Sequence, residues 1–325
     1  MAERKICTED FMKIAINTSA VTNGDLDFAL FEKLGECKFF GEITREELFA
    51  LCADVEALIV NKVEVDAALL DACPKIKYVG TFATGYNVVD IDACRKRGVT
   101  VCNAPDYSTH AVSQHTFALL LALYGKINEY AASVKRGDWI KRKTFTYFPY
   151  PTAELYGKTF GVYGYGNIGK AVADIARAFG AQVIICTRTK PENCPYENVS
   201  FEEMLKRCDI LSLHCPLTKK TAKMIDGKAL SLMKKSAVII NTARGGLLDE
   251  QAVADALNCG RLAGFAADTV AVEPMRADNP LYGAENCIIT PHIAWTAHDT
   301  RERLLGIVAE NLRLYIEGTP RNVVS

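Results

Sequence analysis

A glycine-rich run, Gly164-Tyr165-Gly166-Asn167-Ile168-Gly169, lies mid-chain between two opposite periodicities. Before it, residues 158–163 are apolar and β-rich and read as a buried strand. After it, residues 170–179 place alanines and apolar side chains at helical spacing, and Gly180 stops the helix. Residues 183–186 (Val-Ile-Ile-Cys) read as a second strand. A glycine run alone carries little weight, because such turns are common. Strand, glycine turn, helix and strand in this order make the phosphate-binding unit of a Rossmann fold. Uncovered N–H groups and the dipole at the helix start favour a pyrophosphate there. The unit begins only at residue 158, so another domain is built first.

That earlier part also alternates. Strand signals at 13–17, 57–60, 78–81 and 99–102 are separated by helical patterns such as 66–72 and 90–97. A long apolar helix is expected over 108–128, followed by a basic, aromatic and irregular stretch, 135–151, that reads as a surface loop. Further strands are expected at 210–214, 238–241, 263–268 and 288–290. Short strands separated by helices imply right-handed crossovers and parallel sheets. A last helix, 300–317, follows the second sheet and is free to return to the first. The expected fold is therefore α/β, with two Rossmann-like or flavodoxin-like parallel-sheet domains and a cleft between them. Its domains are a discontinuous substrate domain, 12–107 with 296–325, and a dinucleotide-binding domain, 108–295. Residues 1–11 are expected to be a flexible extension.

A chain of 325 residues has enough material for two cores, and its net charge of −1 gives no electrostatic case for nucleic acid or an acidic membrane. The charged start lacks the apolar segment of a secretory signal, and the longest apolar run, 117–124, is too short to span a bilayer. Twelve cysteines show no C-x-x-C pair and no zinc spacing, so they read as reduced core residues in a cytoplasmic protein, and no metal is expected.

Three groups at strand ends carry the chemistry. Arg244, in Asn241-Thr242-Ala243-Arg244-Gly245-Gly246, lies just beyond a strand, where open α/β sheets bind ligands. Its planar fork suits a carboxylate, and the two glycines after it would leave room for substrate. Glu273 precedes Pro274 in a loop. Of five histidines, His214 and His292 sit at strand ends, and only His292 has apolar and aromatic neighbours on both sides. Together they suit a 2-hydroxy acid. Arg244 anchors the carboxylate, His292 exchanges the hydroxyl proton, and Glu273 holds the imidazole's tautomer and favours its charged form. The hydride would belong to a cofactor.

The ordered set of Ala83-Thr84-Gly85-Tyr86-Asn87, Gly164 to Gly169, His214-Cys215-Pro216-Leu217-Thr218, Asn241 to Gly246, Asp268 with Glu273-Pro274, and Pro291-His292 resembles the D-isomer-specific 2-hydroxyacid dehydrogenases. The resemblance runs from about Met12 to the end. It implies that Arg244, Glu273 and His292 are the catalytic set, and that Ala83, Thr84 and Gly85 bind the substrate carboxylate together with Arg244 and His292. It further implies cofactor contacts at Thr116, Cys215, Pro216, Thr242 and Asp268, the last pairing with the nicotinamide carboxamide, and a homodimer through the cofactor domain. Residues 82–90 and 291–295, with Trp295, resemble the glycerate dehydrogenase or hydroxypyruvate reductase group, which implies a short 2-keto acid such as hydroxypyruvate or glyoxylate. The aromatic stretch 145–150 departs from that group. It keeps larger acids such as phenylpyruvate in view, alongside a dinucleotide-sensing, corepressor-like protein built on the same frame.

The acidic residue that would bond a ribose 2′-hydroxyl roughly 20 residues past the glycines is missing. Thr187, Arg188, Thr189 and Lys190 occupy its place. Two cations and two hydroxyls suit a 2′-phosphate, so NADP(H) is expected ahead of NAD(H).

Overall fold

The computed structural model describes residues 11–325 apart from Ala20, so most of the expected 1–11 extension lies outside the described residues. The chain divides into two compact units, Met1–Ser108 with Thr296–Ser325, and Thr109–Trp295.

The first unit runs β1 (Met12–Asn17), α1 (Ala29–Glu32), β2 (Gly35–Phe40), α2 (Arg45–Cys52), β3 (Ala57–Val60), α3 (Ala67–Ala72), β4 (Tyr78–Thr81), α4 (Ile91–Lys96) and β5 (Thr100–Cys102). These strands form one parallel sheet in the order β2-β1-β3-β4-β5. β3 and β4 are buried at every position, as strands covered on both faces must be. Side-chain caps start the helices. Thr44 and Glu47 form a reciprocal capping box on α2, and Asp66 and Asp90 accept from Leu69 and Ala93 at the starts of α3 and α4. The sequence pattern does not mark β2. It is an edge strand with Glu36 and Lys38 among its residues, and it lacks the apolar run that identifies its neighbours.

The second unit begins with α5 (Thr109–Gly125) and α6 (Ile127–Lys135). The single helix expected over 108–128 is thus broken. Lys126 takes a left-handed backbone, φ 50°, and its ammonium group donates to Asn286 Oδ1 at 2.7 Å, which anchors the break. There follow β6 (Thr159–Tyr163), α7 (Asn167–Ala178), β7 (Gln182–Cys186), β8 (Glu197–Asn198), α8 (Phe201–Arg207), β9 (Ile210–Leu213), α9 (Gly227–Leu232), β10 (Val238–Asn241), α10 (Glu250–Asn258), β11 (Gly264–Ala267) and β12 (Cys287–Ile289). The parallel sheet has the order β12-β11-β10-β9-β6-β7-β8. Chain order reverses on the two sides of β6, so a topological switch point lies between β6 and β9.

The last helix, α11 (His298–Ile316), belongs to the first unit. Its Tyr315 ring lies 4.8 Å from that of Tyr78, and the chain end follows β5 with Val324 N–H donating to Val101 O at 2.9 Å. No helix among the described residues is long and apolar enough to cross a membrane.

Candidate active site

The glycine turn shows what each glycine is for. Gly164 has φ +95°, and a Cβ there would sit 2.5 Å from the carbonyl oxygen of His214 at the end of β9. Gly169, in the first turn of α7, would put a Cβ 2.0 Å from Gly164 O. These two let backbone meet backbone at the switch point. Gly166 differs, because a Cβ there would meet nothing within 4 Å. It is also the N-cap of α7 and offers no side-chain cap, whereas Ser200, Asp226 and Asp249 cap α8, α9 and α10. The first turn of α7, with Asn167 and Ile168, therefore faces its surroundings with backbone N–H groups and no competing side-chain oxygen from the cap. This cradle fits a dinucleotide pyrophosphate.

Beyond β7 the chain turns tightly. Thr187 N–H donates to Asn198 Oδ1 at 3.1 Å, and its hydroxyl to Thr189 O at 3.4 Å. Thr187 is half-buried, and Arg188 and Thr189 are exposed. Cys215 is buried, which pushes its thiol up to about 11, so it forms apolar wall. Pro216 beside it is exposed, and its carbonyl accepts from the Thr221 hydroxyl at 2.8 Å. His214 pairs with Ser212 Oγ at 2.7 Å, and removal of its ring from water pushes its pKa down to about 3. That imidazole is neutral at ordinary pH and is no acid for the reaction.

After β10, buried Asn241 shapes the turn that carries Arg244. Its Nδ2 donates to Arg244 O at 2.9 Å, and its Oδ1 accepts from Ala243 N–H at 3.1 Å. Thr242 and Thr116 are buried with their hydroxyl oxygens 3.0 Å apart. Thr116 gives its only hydroxyl proton to Val112 O at 2.8 Å, so Thr242 donates to Thr116. This pair ties helix α5 to the Arg244 turn. The glycines after Arg244 do not leave room for substrate. A Cβ at Gly245 would lie 1.9 Å from the Val270 carbonyl carbon, and one at Gly246 would lie 2.9 Å from the Leu217 side chain. They make room for protein: Gly245 lets the Arg244 turn press against the loop that leads to Glu273, and Gly246 lets Leu217 pack on it.

His292 and Glu273 meet. His292 Nδ1 lies 2.8 Å from Glu273 Oε2, and both side chains are about a third exposed, at 31%. The carboxylate fixes Nδ1 as the donor, which leaves Nε2 to exchange a proton. His292 has φ +57°, a backbone unusual for a side-chain-bearing residue. Asp268, at the end of β11 and 1% exposed, holds that turn. Its carbonyl accepts from His292 N–H at 2.9 Å, and its carboxylate accepts from Ile293 N–H at 2.9 Å, Ala294 N–H at 2.8 Å and the Thr290 hydroxyl at 2.6 Å. Burial works against this charge, but His115 with Nε2 3.4 Å away, the Thr290 hydroxyl and the two amides outweigh it and hold the carboxyl below its ordinary range.

In the first unit, the loop after β4 is clamped. The Thr84 hydroxyl donates to Ala104 O at 2.9 Å, and Asn103 Nδ2 donates to Thr84 O at 2.7 Å. With hydroxyl and carbonyl committed, the loop of Ala83, Thr84 and Gly85 can offer a ligand its backbone N–H groups.

Sequence reasoning missed His115, Asn241 and Thr290. His115 and Thr290 act through contacts remote in the chain, which no local pattern marks, whereas Asn241 opens the Arg244 motif and bonds only two and three residues on, so the motif could have pointed to it.

The sequence model described as "D-isomer specific 2-hydroxyacid dehydrogenase, NAD binding domain" matches residues 117–294. A hydroxypyruvate reductase of Blautia hydrogenotrophica is 38% identical over 323 residues, covering 97% of this chain and 100% of the relative. A glycerate dehydrogenase of Methylorubrum extorquens is 39% identical over 283 residues, covering 86% and 89%. Among solved structures, an acyclic imino acid reductase in complex with NADPH and D-Arg superposes with a TM-score of 0.85 at 32% identity, covering 97% and 100%.

Proposed function

The chain belongs to the D-isomer-specific 2-hydroxyacid dehydrogenases, oxidoreductases that use a nicotinamide dinucleotide, and on that premise we propose that it reduces a short 2-keto acid, hydroxypyruvate or glyoxylate, to the D-2-hydroxy acid. The observation that carries this reading is the His292–Glu273 pair at 2.8 Å. Names borne by the relatives, hydroxypyruvate reductase and glycerate dehydrogenase, favour the short acid.

Arg244 takes the substrate carboxylate, and the amides of Ala83, Thr84 and Gly85 are proposed as carboxylate ligands too. His292 gives its Nε2 proton to the oxygen at C2 as the keto acid is reduced, and takes it back from the hydroxyl in the reverse direction. Glu273 keeps Nδ1 as the donor and holds the ring in place. The dinucleotide, when bound, supplies or accepts the hydride. Gly164, Gly166, Asn167, Ile168 and Gly169 would hold its pyrophosphate, Cys215 and Pro216 would flank its adenosine, and Thr242, Thr116 and Asp268 would support the turns near its nicotinamide.

NADP(H) is the proposed cofactor. Thr187, Arg188 and Thr189 occupy the end of β7 where a carboxylate would repel a 2′-phosphate, and a related reductase was solved with NADPH. A homodimer through the second unit is proposed as well. Trp139, Ile140, Phe145 and Phe148 are exposed, and the same unit carries an apolar hollow of about 400 Å³ lined by Leu121, Ile127, Leu155 and Phe179. A cytoplasmic location accords with the free thiols of all the described cysteines.

The test is oxidation of NADPH and NADH against hydroxypyruvate, glyoxylate and phenylpyruvate. Turnover should be fastest with a short acid and NADPH. Absence of turnover with every acid would remove the reading, and a strong NADH preference would remove its cofactor part. Light scattering should give twice the chain mass.

A further inference from the structure

Helix α5 carries two consecutive polar side chains, and each reaches a different strand-end turn of the same sheet. Thr116 meets Thr242, two residues before Arg244. His115 meets the turn that carries His292, with Nε2 2.9 Å from Thr290 Oγ1 and 3.4 Å from Asp268 Oδ1. The Thr290 hydroxyl proton is committed to Asp268 Oδ1 at 2.6 Å. Thr290 can therefore only accept from His115, and the ring must carry its proton on Nε2. The result is a directed relay, His115 Nε2–H to Thr290 Oγ1–H to Asp268 Oδ1. Asp268 in turn fixes the amides of Ile293 and Ala294 and, through its carbonyl, that of His292.

We propose that His115 is a positioning residue for His292. It supplies the outer donor of the relay that orients the buried Asp268 carboxylate, and Asp268 holds the left-handed turn at His292. His115 need not touch substrate or cofactor to do this. A shift of the imidazole by a fraction of an ångström is enough to slow proton transfer, because catalytic geometry is steep in distance. A leucine at 115 would fill similar space and preserve packing on α5 while removing the donor. A glutamine would return an N–H donor at a similar reach.

The experiment measures kcat and KM for the keto acid, and dinucleotide Kd on the apo protein, in His115→Leu, His115→Gln, Thr290→Val and the double variant His115→Leu/Thr290→Val. His115→Leu should lower kcat about 10-fold with dinucleotide Kd within about twofold of the parent, and His115→Gln should recover most of the loss. The double variant should be no slower than the slower single one, because both changes cut the same relay. Parental kcat in His115→Leu, loss of dinucleotide affinity in step with kcat, failure of glutamine to rescue, or additive losses would each overturn the proposal. Should His115→Leu not fold, His115→Gln near the parental rate with Thr290→Val slow would support it, and any other combination would overturn it. The inference rests on His292 as the acid, and His292→Ala separates the two readings. An active His292→Ala sinks the proposed mechanism, whereas an inactive one beside fully active His115 variants sinks this inference alone.

Discussion

Two turns at the C-terminal edge of the same parallel sheet place a residue in left-handed backbone, and they do so by opposite means. At Gly164, φ is +95° and no side chain is present to object. At His292, φ is +57° on a residue whose side chain is the point of the turn. The first conformation is free. The second costs on the order of 1 kcal/mol and persists because Asp268 and Thr290 over-determine it. A turn that brings backbone against backbone needs atoms removed, and glycine does that locally. A turn that presents an imidazole needs an atom set in an unfavourable place, and only remote partners can hold it there.

The strongest challenge to this contrast is His292→Ala. It should lower kcat at least ~10²-fold while leaving dinucleotide affinity near the parental value, because the glycine turn is independent of it. A comparable fall in affinity would show that the two turns are one unit. Within the first turn, Gly169→Ala should cost about 1–3 kcal/mol in urea unfolding, since its Cβ would lie 2.0 Å from Gly164 O. Gly166→Ala should cost no more than about 0.5–1 kcal/mol of stability, yet weaken dinucleotide binding. Equal behaviour of the two variants would erase the division between packing and binding glycines. Thr187→Asp should swing the ratio of kcat/KM for NADPH and NADH about 10-fold towards NADH, and an unchanged ratio would mean the 2′-site lies elsewhere. Smallest is the comparison of His292→Gly with His292→Ala. Both should be inactive, but glycine should be more stable by about 1 kcal/mol. Equal melting would mean the backbone relaxes when the ring is gone and the turn is not held from outside.

Legibility in the sequence follows the same division. Strands buried on both faces, such as β3, β4, β9 and β10, announce themselves as apolar runs. Edge strand β2, half exposed and charged, does not. The apolar pattern over 108–128 is helical throughout, Gly125 is the one local mark of the break at Lys126, and the bond from Lys126 to Asn286 far along the chain is not legible there. The glycines after Arg244 are visible in the sequence, but their purpose is not, because Val270 and Ala271 occupy the space a side chain on Gly245 would need and Leu217 that of one on Gly246.

By itself, then, the amino-acid sequence determined the alternation of parallel strands and helices and the position of the glycine cradle, because both follow from short-range periodicity and from the absence of a Cβ. Motif resemblance pointed to Arg244, Glu273 and His292 as a set. Only the tertiary structure decided that His292 Nδ1 meets Glu273, that Asp268 is buried beneath the His292 turn, and that His115, 175 residues before Thr290, closes the relay. Those contacts join strand ends and a helix brought side by side by packing, and hydrogen bonds between such remote groups leave no period in the chain to read.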